Sequence, residues 1–407
     1  MIAADRQQVE LPPPLMTSEP GSFARKTIVE RKPQIIHRVI EDNSYPPETL
    51  ARLDAFREEI AGHPMRPLCE HAPDVAFWNR EFATYRGKGW LEVPWYFAET
   101  YFYRRLLEAV GFFQPGPWQR QDPFGVRKQV QIRVAVERLT DDWDSLAGLE
   151  PDMVFEALLH SALWGNRADL SNYTVDQALR AGLAARHERH NLLIDHTEVV
   201  RCYLAKGVRQ VDFISDNVGL DLLYDLALAD LLLHQGGVGQ VVFHLKGHPF
   251  FVSDAMPRDV ETTLSLLLAS LSPKVHSLGS RLMTHLATGC LVLEADPFWT
   301  SNLMFRQFPP SLRGELARAD LVVIKGDVNY RRLLDDRHWP HTAPLEEIVA
   351  YFPAPFLVLR TLKGEIQVGL APGQAEALAA EDPTWLINGR RGLIHFCHPS
   401  GRTVGSS

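Results

Sequence analysis

Thiols are scarce in this sequence. Cys69, Cys202, Cys290 and Cys397 are the four cysteines among 407 residues, and they form no CxxC pair. Such scatter argues against a disulfide framework or a thiolate zinc site and fits a reducing cytosol. Excess positive charge is lacking too: the formal net charge is −8 and the isoelectric point lies near 6.1. No overall basic nucleic-acid binder and no polybasic membrane anchor is expected. Long apolar runs are also missing. None reaches the ~18 uninterrupted apolar residues of a membrane span. The most apolar stretch, Leu220–Leu233, carries Asp221, Asp225 and Asp230. The N-terminus, MIAADRQQVELPPPL, has no basic region ahead of an apolar core and so does not read as a secretory signal. The expectation is a soluble, cytoplasmic monomer without nucleic-acid or membrane partners.

What is present is an ordinary globular composition, 45% hydrophobic and 23% charged. The length suggests roughly two domains. Residues 1–20, with Pro12–Pro14 and Pro20, read as an extended or loosely docked arm. Ser22 precedes an amphipathic run through Ile28, Ile35, Ile36 and Val39, which Pro33 should kink or split. A second helix is expected from about Pro47 to Ile60. PWYFAETYFYRRLLEAVGFF reads as a buried helix starting at Pro94. Its Arg104 and Arg105 could grip an anion, but pairing with local acids such as Glu99 and Glu108 is favoured. Residues 140–190 read as helix interrupted by WGNRADLS, whose Asn166 and Asp169 are turn residues. His187, His190 and His196 lack companion ligands at metal spacing and read as solvated surface.

After about residue 190 the pattern changes. Apolar runs at Leu192–Ile194, Val211–Ile214, Gln240–His244, Cys290–Leu293, Leu321–Ile324 and Phe356–Leu359 alternate with helical stretches. Alternation of this kind argues for an α/β fold with a mainly parallel sheet. The expected organisation is a mainly helical N-terminal domain, residues 1–190, followed by an α/β domain, residues 191–407.

In such a sheet, ligands bind beyond the carboxyl ends of the strands. Four strand ends carry polar residues. VDFISDN places Asp216 and Asn217 there, two hard oxygen donors suited to Mg²⁺ or Mn²⁺. The same pair could simply form a turn or cap a helix. KGHPFFVSD offers Asp254, either a third metal ligand or a helix N-cap. KGDVNY places Lys325, Asp327 and Asn329 at the sheet edge, with Gly326 allowing close backbone approach. RTLK supplies Arg360, Thr361 and Lys363, a planar fork, a hydroxyl and a point charge suited to phosphate.

These stretches, with DFISDNVGLDLLYDLALADLLL, HPFFVSD, ADLVVIKGDVNYRRLLDDRHW and LRTLKGEIQVGL, resemble the metal-dependent damage-control phosphatase family. The RTxK-motif subgroup, which includes proteins called sugar-phosphate phosphatases or acidic-residue methyltransferases, is the nearest in pattern. SFARKTIVERKPQII, PWYFAETYFYRR and LWGNRADLS extend the resemblance over nearly the whole chain. It implies a helical region on a three-layer α/β/α phosphatase domain. It implies a divalent metal, Mn²⁺ or Mg²⁺ with Co²⁺ or Ni²⁺ as alternatives, held by Asp216, Asn217 and Asp254. It implies substrate contacts at Asp216, Asn217, Asp254 and across Arg360, Thr361, Leu362, Lys363 and Gly364, with Lys325 and Asp327 as further site residues. The subgroup often has Glu after the DN motif where this chain has Asp221, which bears on a substrate contact. The anion contact expected at Arg390 or Arg391 is a weaker carry-over. The implied reaction is hydrolysis of a small phosphomonoester such as fructose 1-phosphate. Asp216, Asp254 and Lys363 would be its catalytic residues, and the nucleophile would be water or a carboxylate. The rivals are an S-adenosylmethionine-dependent carboxyl methyltransferase and a non-catalytic phosphometabolite-binding protein. Gly236, Gly237 and Gly239 follow a helix instead of opening one, unlike a dinucleotide fingerprint.

Overall fold

The computed structural model describes residues 10–144, 146, 148–165, 189–234 and 237–399. Its strands are β1 (Leu192–Asp195), β2 (Gln210–Ile214), β3 (Gln240–His244), β4 (Leu291–Glu294), β5 (Leu321–Lys325), β6 (Phe356–Thr361) and β7 (Gly392–Cys397). They form one seven-stranded sheet in the order β1-β7-β6-β5-β2-β3-β4. Every pairing is parallel except β6 with β7. The six apolar runs read from the sequence are strands within a residue or two of their expected ends. GLIHFC of β7 was not anticipated. It returns antiparallel to β6 in unbroken register, from Phe356 opposite Cys397 to Thr361 opposite Gly392.

Alternation along the strands feeds two cores. Val211, Phe213, Val241, Phe243, Val323 and Leu357 point into one, while Ile214, Val322, Ile324, Phe356 and Val358 point into the other. Both faces are apolar, the pattern of a parallel sheet covered on both sides. The first face is covered by α6 (Gly125–Asp144), α7 (Pro151–Trp164), α8 (Leu220–His234), α9 (Pro257–Leu268) and α10 (Pro273–Thr288), all of which contribute to that core or pack on it. The second is covered by segments that include α11 (Gly326–Leu333). The result is the three-layer α/β/α architecture. Gly392 lets the first layer close in: a Cβ there would lie 2.7 Å from the ring of Trp164.

The N-terminal part is helical, with α1 (Phe23–Lys26), α2 (Lys32–Asp42), α3 (Pro47–Gly62), α4 (Val75–Ala83) and α5 (Trp95–Val110). A third core joins α2–α5 to Phe250 and Phe251 from the loop after β3. Among the described residues all strands follow residue 190, yet α6 and α7 from before it pack into the sheet's first core. The amphipathic run stays helical without a gap from Phe23 to Asp42 and is not split at Pro33. Pro33 lacks an N–H, and the chain ahead of it winds into a π-helical turn over Thr27–Arg31 before α2 begins. α5 starts one residue after Pro94 and ends at Gly111 in the left-handed region, φ 76°. The described part of the arm, from residue 10, is firmly tied. Leu15 is buried, Leu15 N–H donates to Asp336 O at 3.0 Å, and Trp95 N–H donates to Leu15 O at 2.8 Å. Among the described residues no helix is long and apolar enough to cross a membrane.

Candidate active site

From β2 the chain adds β3 and β4 on one side of the sheet and later β5 and β6 on the other. The adjacent carboxyl ends of β2 and β5 therefore flank a topological switch point, where connections diverge and leave a crevice. Three polar strand-end segments meet there and the loop after β3 folds over them.

Beyond β2 and β3 the two chains stay paired for one step, with Asn217 opposite Asp254 in an isolated antiparallel bridge. Val218 N–H donates to Ser253 O and Ala255 N–H to Asp216 O, both at 2.8 Å. This pairing brings Asp216, Asn217 and Asp254 together although Asn217 and Asp254 lie 37 positions apart in the chain. Their side chains are buried and oriented. Asn217 Nδ2 donates to Asp216 Oδ2 at 2.7 Å, and Ser253 Oγ donates to Asn217 Oδ1 at 2.5 Å. Asp254 Oδ2 is 3.3 Å from Lys246 Nζ. Burial lowers the Lys246 pKa despite the attraction of Asp254. Asp254 is not a helix cap, because α9 starts at Pro257 with Met256 at its N-cap. Phe251, in the same loop, has φ 57°, a conformation rarely adopted by a bulky residue. Its ring is anchored 5.0 Å from that of Tyr103 on α5, so the helical layer holds this loop in place.

At the β5 end, Asp327 joins the neighbouring segments. Its Oδ1 accepts from Arg360 Nε at 2.8 Å and from the Lys363 N–H at 3.2 Å, and its Oδ2 accepts from Arg331 Nε at 3.1 Å. Burial alone would raise the Asp327 carboxyl, but Arg360 and Arg331 outweigh it and hold the pKa below the ordinary value. Gly364 leaves room for this cluster: a Cβ there would lie 2.3 Å from Arg331 Nη2 and 2.6 Å from Asp327 Oδ2.

Asp216, Asn217, Asp254, Asp327 and Lys363 all line one cavity of about 70 Å³. Small-molecule pockets commonly span ~300–1,000 Å³, so this one suits a small group. The remaining expected residues lie behind it. Lys325 is fully buried, with Nζ 2.8 Å from Asp221 Oδ1, 2.5 Å from Asp225 Oδ1 and 2.6 Å from Ala162 O. Asp221 Oδ2 in turn accepts from Asn217 N–H at 3.3 Å. Arg360, Thr361 and Leu362 are fully buried, and Leu362 belongs to the second core. Asn329 Nδ2 donates to Ser215 O at 3.0 Å, tying α11 to the end of β2. Arg104 pairs with Asp74 and Glu70, and Arg105 with Glu59 and Glu108, so neither faces a ligand. Arg390 and Arg391 pair with Asp382 and Glu381. His190 is exposed, while His196 Nδ1 bonds the backbone at Phe396; His187, Asn166 and Asp169 lie outside the described residues.

The family model for the damage-control phosphatase ARMT1-like domain matches residues 27–378. The chain is 32% identical over 438 aligned residues to damage-control phosphatase ARMT1 of Mus musculus, covering 96% of this chain and 99% of the relative. It is 31% identical over 426 residues to that of Xenopus tropicalis, covering 92% and 96%. The chain belongs to the damage-control phosphatase ARMT1-like family. A DUF89 family protein from Pyrococcus horikoshii has a similar fold, with TM-score 0.51 and 13% identity over 92% of this chain and 97% of that one. Family membership supports a phosphatase that acts in metabolite repair.

Several lining residues of this damage-control phosphatase were not singled out from the sequence. Arg31 and Phe23 come from the N-terminal run and Trp95 and Tyr103 from α5, as does Glu99, which was read only as a partner for a neighbouring arginine. Only packing of the helical layer over the strand ends brings them there. Lys246 had a legible signal, since it follows β3 as Asp216 follows β2.

The buried Lys325 cluster makes a pH prediction. Burial raises the Asp225 pKa from 3.8 to about 7, with Lys325 opposing and Asp221 adding to the rise. A carboxyl raised on folding stabilises the fold below its unfolded pKa, and that contribution is lost as pH climbs through about 7. Asp225→Asn mimics the protonated form. It is expected to fold and to show a flatter dependence of melting temperature on pH than the parent between pH 5 and 8. Equal slopes for the two proteins would contradict a proton on Asp225.

Proposed function

We propose that this protein is a metal-dependent phosphatase of the RTxK subgroup that hydrolyses small phosphomonoesters, sugar phosphates such as fructose 1-phosphate, in metabolite damage control. The observation that carries the reading is the Asn217–Asp254 bridge, which gathers two carboxylates and an amide on one cavity with Lys363.

Asp216, Asn217 and Asp254 fit a hard divalent cation. All offer oxygen donors. The Asp216 carboxylate lies against the β5–α11 backbone, where a Cβ on Gly326 would come within 1.9 Å of Oδ2. Hydrogen bonds from Asn217 and Ser253 further fix the donor atoms. Among the described residues no three His, Cys, Asp or Glu side chains gather for a metal, so the amide of Asn217 completes the set. Mn²⁺ or Mg²⁺ is the expected ion, with Co²⁺ or Ni²⁺ as substitutes. When bound, it neutralises charge developing on the transferred phosphoryl group.

Lys363 faces the same cavity and stabilises the phosphoryl oxygens in the transition state. Arg360 acts through Asp327, which accepts from the Lys363 N–H and so sets the RTLK turn. Asp221 and Lys325 act through Asn217 in the same way. Either a water attacks phosphorus while the P–O bond to the sugar breaks and the alcohol leaves with a proton, or the carboxylate of Asp216 or Asp254 displaces the alcohol first and water then hydrolyses the acyl phosphate. Thr361, Leu362 and Gly364 shape the turn that presents Lys363.

The methyltransferase alternative needs a nucleotide-binding loop. The described glycines of that region, Gly237 and Gly239, lie between the end of α8 and the start of β3, and open no helix. Calorimetry separates the readings. Titration with fructose 1-phosphate in the presence of Mn²⁺ is expected to give heat, and titration with S-adenosylmethionine none. The reverse result would favour the methyltransferase.

A further inference from the structure

We infer that Arg31 and Glu99, both supplied by the helical layer, hold the leaving group of the substrate and select one that carries hydroxyls. The inference rests on the phosphatase reading and concerns the half of the substrate that the strand ends do not face.

Arg31 and Glu99 line the same cavity as Asp216, Asp254 and Lys363. Arg31 ends the π-helical turn Thr27–Arg31. Turns of this kind are frequent at functional sites because they shift a side chain out of the regular helical face. Its Nε is buried without a hydrogen-bond partner among the described residues. A buried N–H on a charged group is costly to leave unmade, which marks a place for a ligand atom.

Glu99 is only 4% exposed. Its Oε1 lies 2.5 Å from Lys32 Nζ, while its Oε2 is buried and has no hydrogen-bond partner. Lys32 is itself fixed, with Nζ 4.4 Å from the Tyr103 ring centre and 4.6 Å from that of Phe102. One carboxylate oxygen is thereby neutralised and the other is left as an acceptor.

The helical wall thus offers one unmet donor and one unmet acceptor. A hydroxyl both donates and accepts. A polyol hydroxyl can donate a hydrogen bond to Glu99 Oε2 and accept one from Arg31 Nε. A second phosphate or a carboxylate would suit Arg31 but would be repelled by Glu99 in this dry setting. An apolar leaving group would satisfy neither. Trp95 and Tyr103 line the same cavity and supply ring faces for the C–H surface of such a group.

The test is calorimetric binding of fructose 1-phosphate and of inorganic phosphate, each with Mn²⁺, to the full chain and to Arg31→Gln. Removing Arg31 is not expected to unfold the protein, because its charge opposes that of buried Lys32. Glu99→Gln, which weakens the hold on Lys32, is the second variant, with its fold checked by circular dichroism. The parent is expected to bind fructose 1-phosphate roughly 10-fold or more tighter than phosphate. Arg31→Gln should erase that difference and change phosphate binding by less than about 3-fold. The inference is overturned if the parent shows no preference, if the preference survives in Arg31→Gln, or if phosphate binding falls equally. Failure of the phosphatase reading looks different: the ligand binds with the expected preference but no phosphate is released.

Discussion

Asp254→Asn is expected to lower kcat on the order of 10²–10³-fold, the loss seen when one preorganised electrostatic contact to a transition state is removed. Asparagine keeps the shape of aspartate but gives up the charge. The donor set with Asp216 and Asn217 would then hold a divalent cation less tightly, and a carboxylate nucleophile at this position would be gone. The variant also leaves Lys246 without its anionic partner. Breaking a buried ion pair by removing one side costs about 3–5 kcal/mol. The measured effect therefore needs a stability control. Asp254→Asn/Lys246→Met removes both charges and is expected to recover stability without recovering turnover. Recovery of activity in the double variant would show that the single substitution acted by unfolding.

Gly326→Ala is expected to be the most damaging single-methyl substitution at the site. Gly326 has φ 78°, in the left-handed region, and its absent Cβ would stand 1.9 Å from Asp216 Oδ2 and 2.4 Å from Asp216 Cγ. An L-residue there costs roughly 1–2 kcal/mol in backbone strain. Forcing a methyl into a packed site costs typically 1–3 kcal/mol more. The overlap is with a carboxylate held by Asn217 Nδ2, so the side chain cannot move away without losing that bond. A fall in stability of about 2–5 kcal/mol, by these terms, together with near-complete loss of turnover, is expected from denaturant unfolding and phosphate-release assays. A folded Gly326→Ala protein with near-parental stability and rate would remove Asp216 from the mechanism.

Much of the α/β layer was legible in the sequence because a parallel strand is a short apolar run with a polar end. Val211–Ile214 followed by Asp216 and Asn217, and Leu321–Ile324 followed by Asp327, carry that signature. β7 was hidden: GLIHFC begins with Gly392 and has its apolar run interrupted by His395, and it directly follows the polar stretch Asn388–Arg391. The helical N-terminal region was also legible, but the apolar core does not divide at residue 190. α6 and α7 carry large apolar side chains whose partners are sheet residues far along the chain.

Strand-end polarity located the crevice and did not sort its residues by depth. Lys325 and Lys363 look alike in sequence, each a lysine at the end of an apolar strand. One is sealed between Asp221, Asp225 and Ala162 O, whereas the other lines the cavity. The difference arises from α7 and α8 covering the first and not the second, a tertiary fact. Arg360 was read as a direct phosphate fork, but its donors are engaged by Asp327, Gln367 and Gly364 O. Glu99 was read as a partner for a neighbouring arginine and pairs instead with Lys32, because the helix containing Lys32 packs near α5.

The most direct test is phosphate release from fructose 1-phosphate, other sugar phosphates and p-nitrophenyl phosphate by metal-stripped protein, with Mn²⁺, Mg²⁺, Co²⁺ or Ni²⁺ restored singly. Asp254→Asn is run beside the parent. Turnover that is absent without metal, returns with Mn²⁺ or Mg²⁺, and stays absent in Asp254→Asn is the predicted result. Folded parent protein that binds sugar phosphates yet releases no phosphate with any of the four metals would contradict the phosphatase reading.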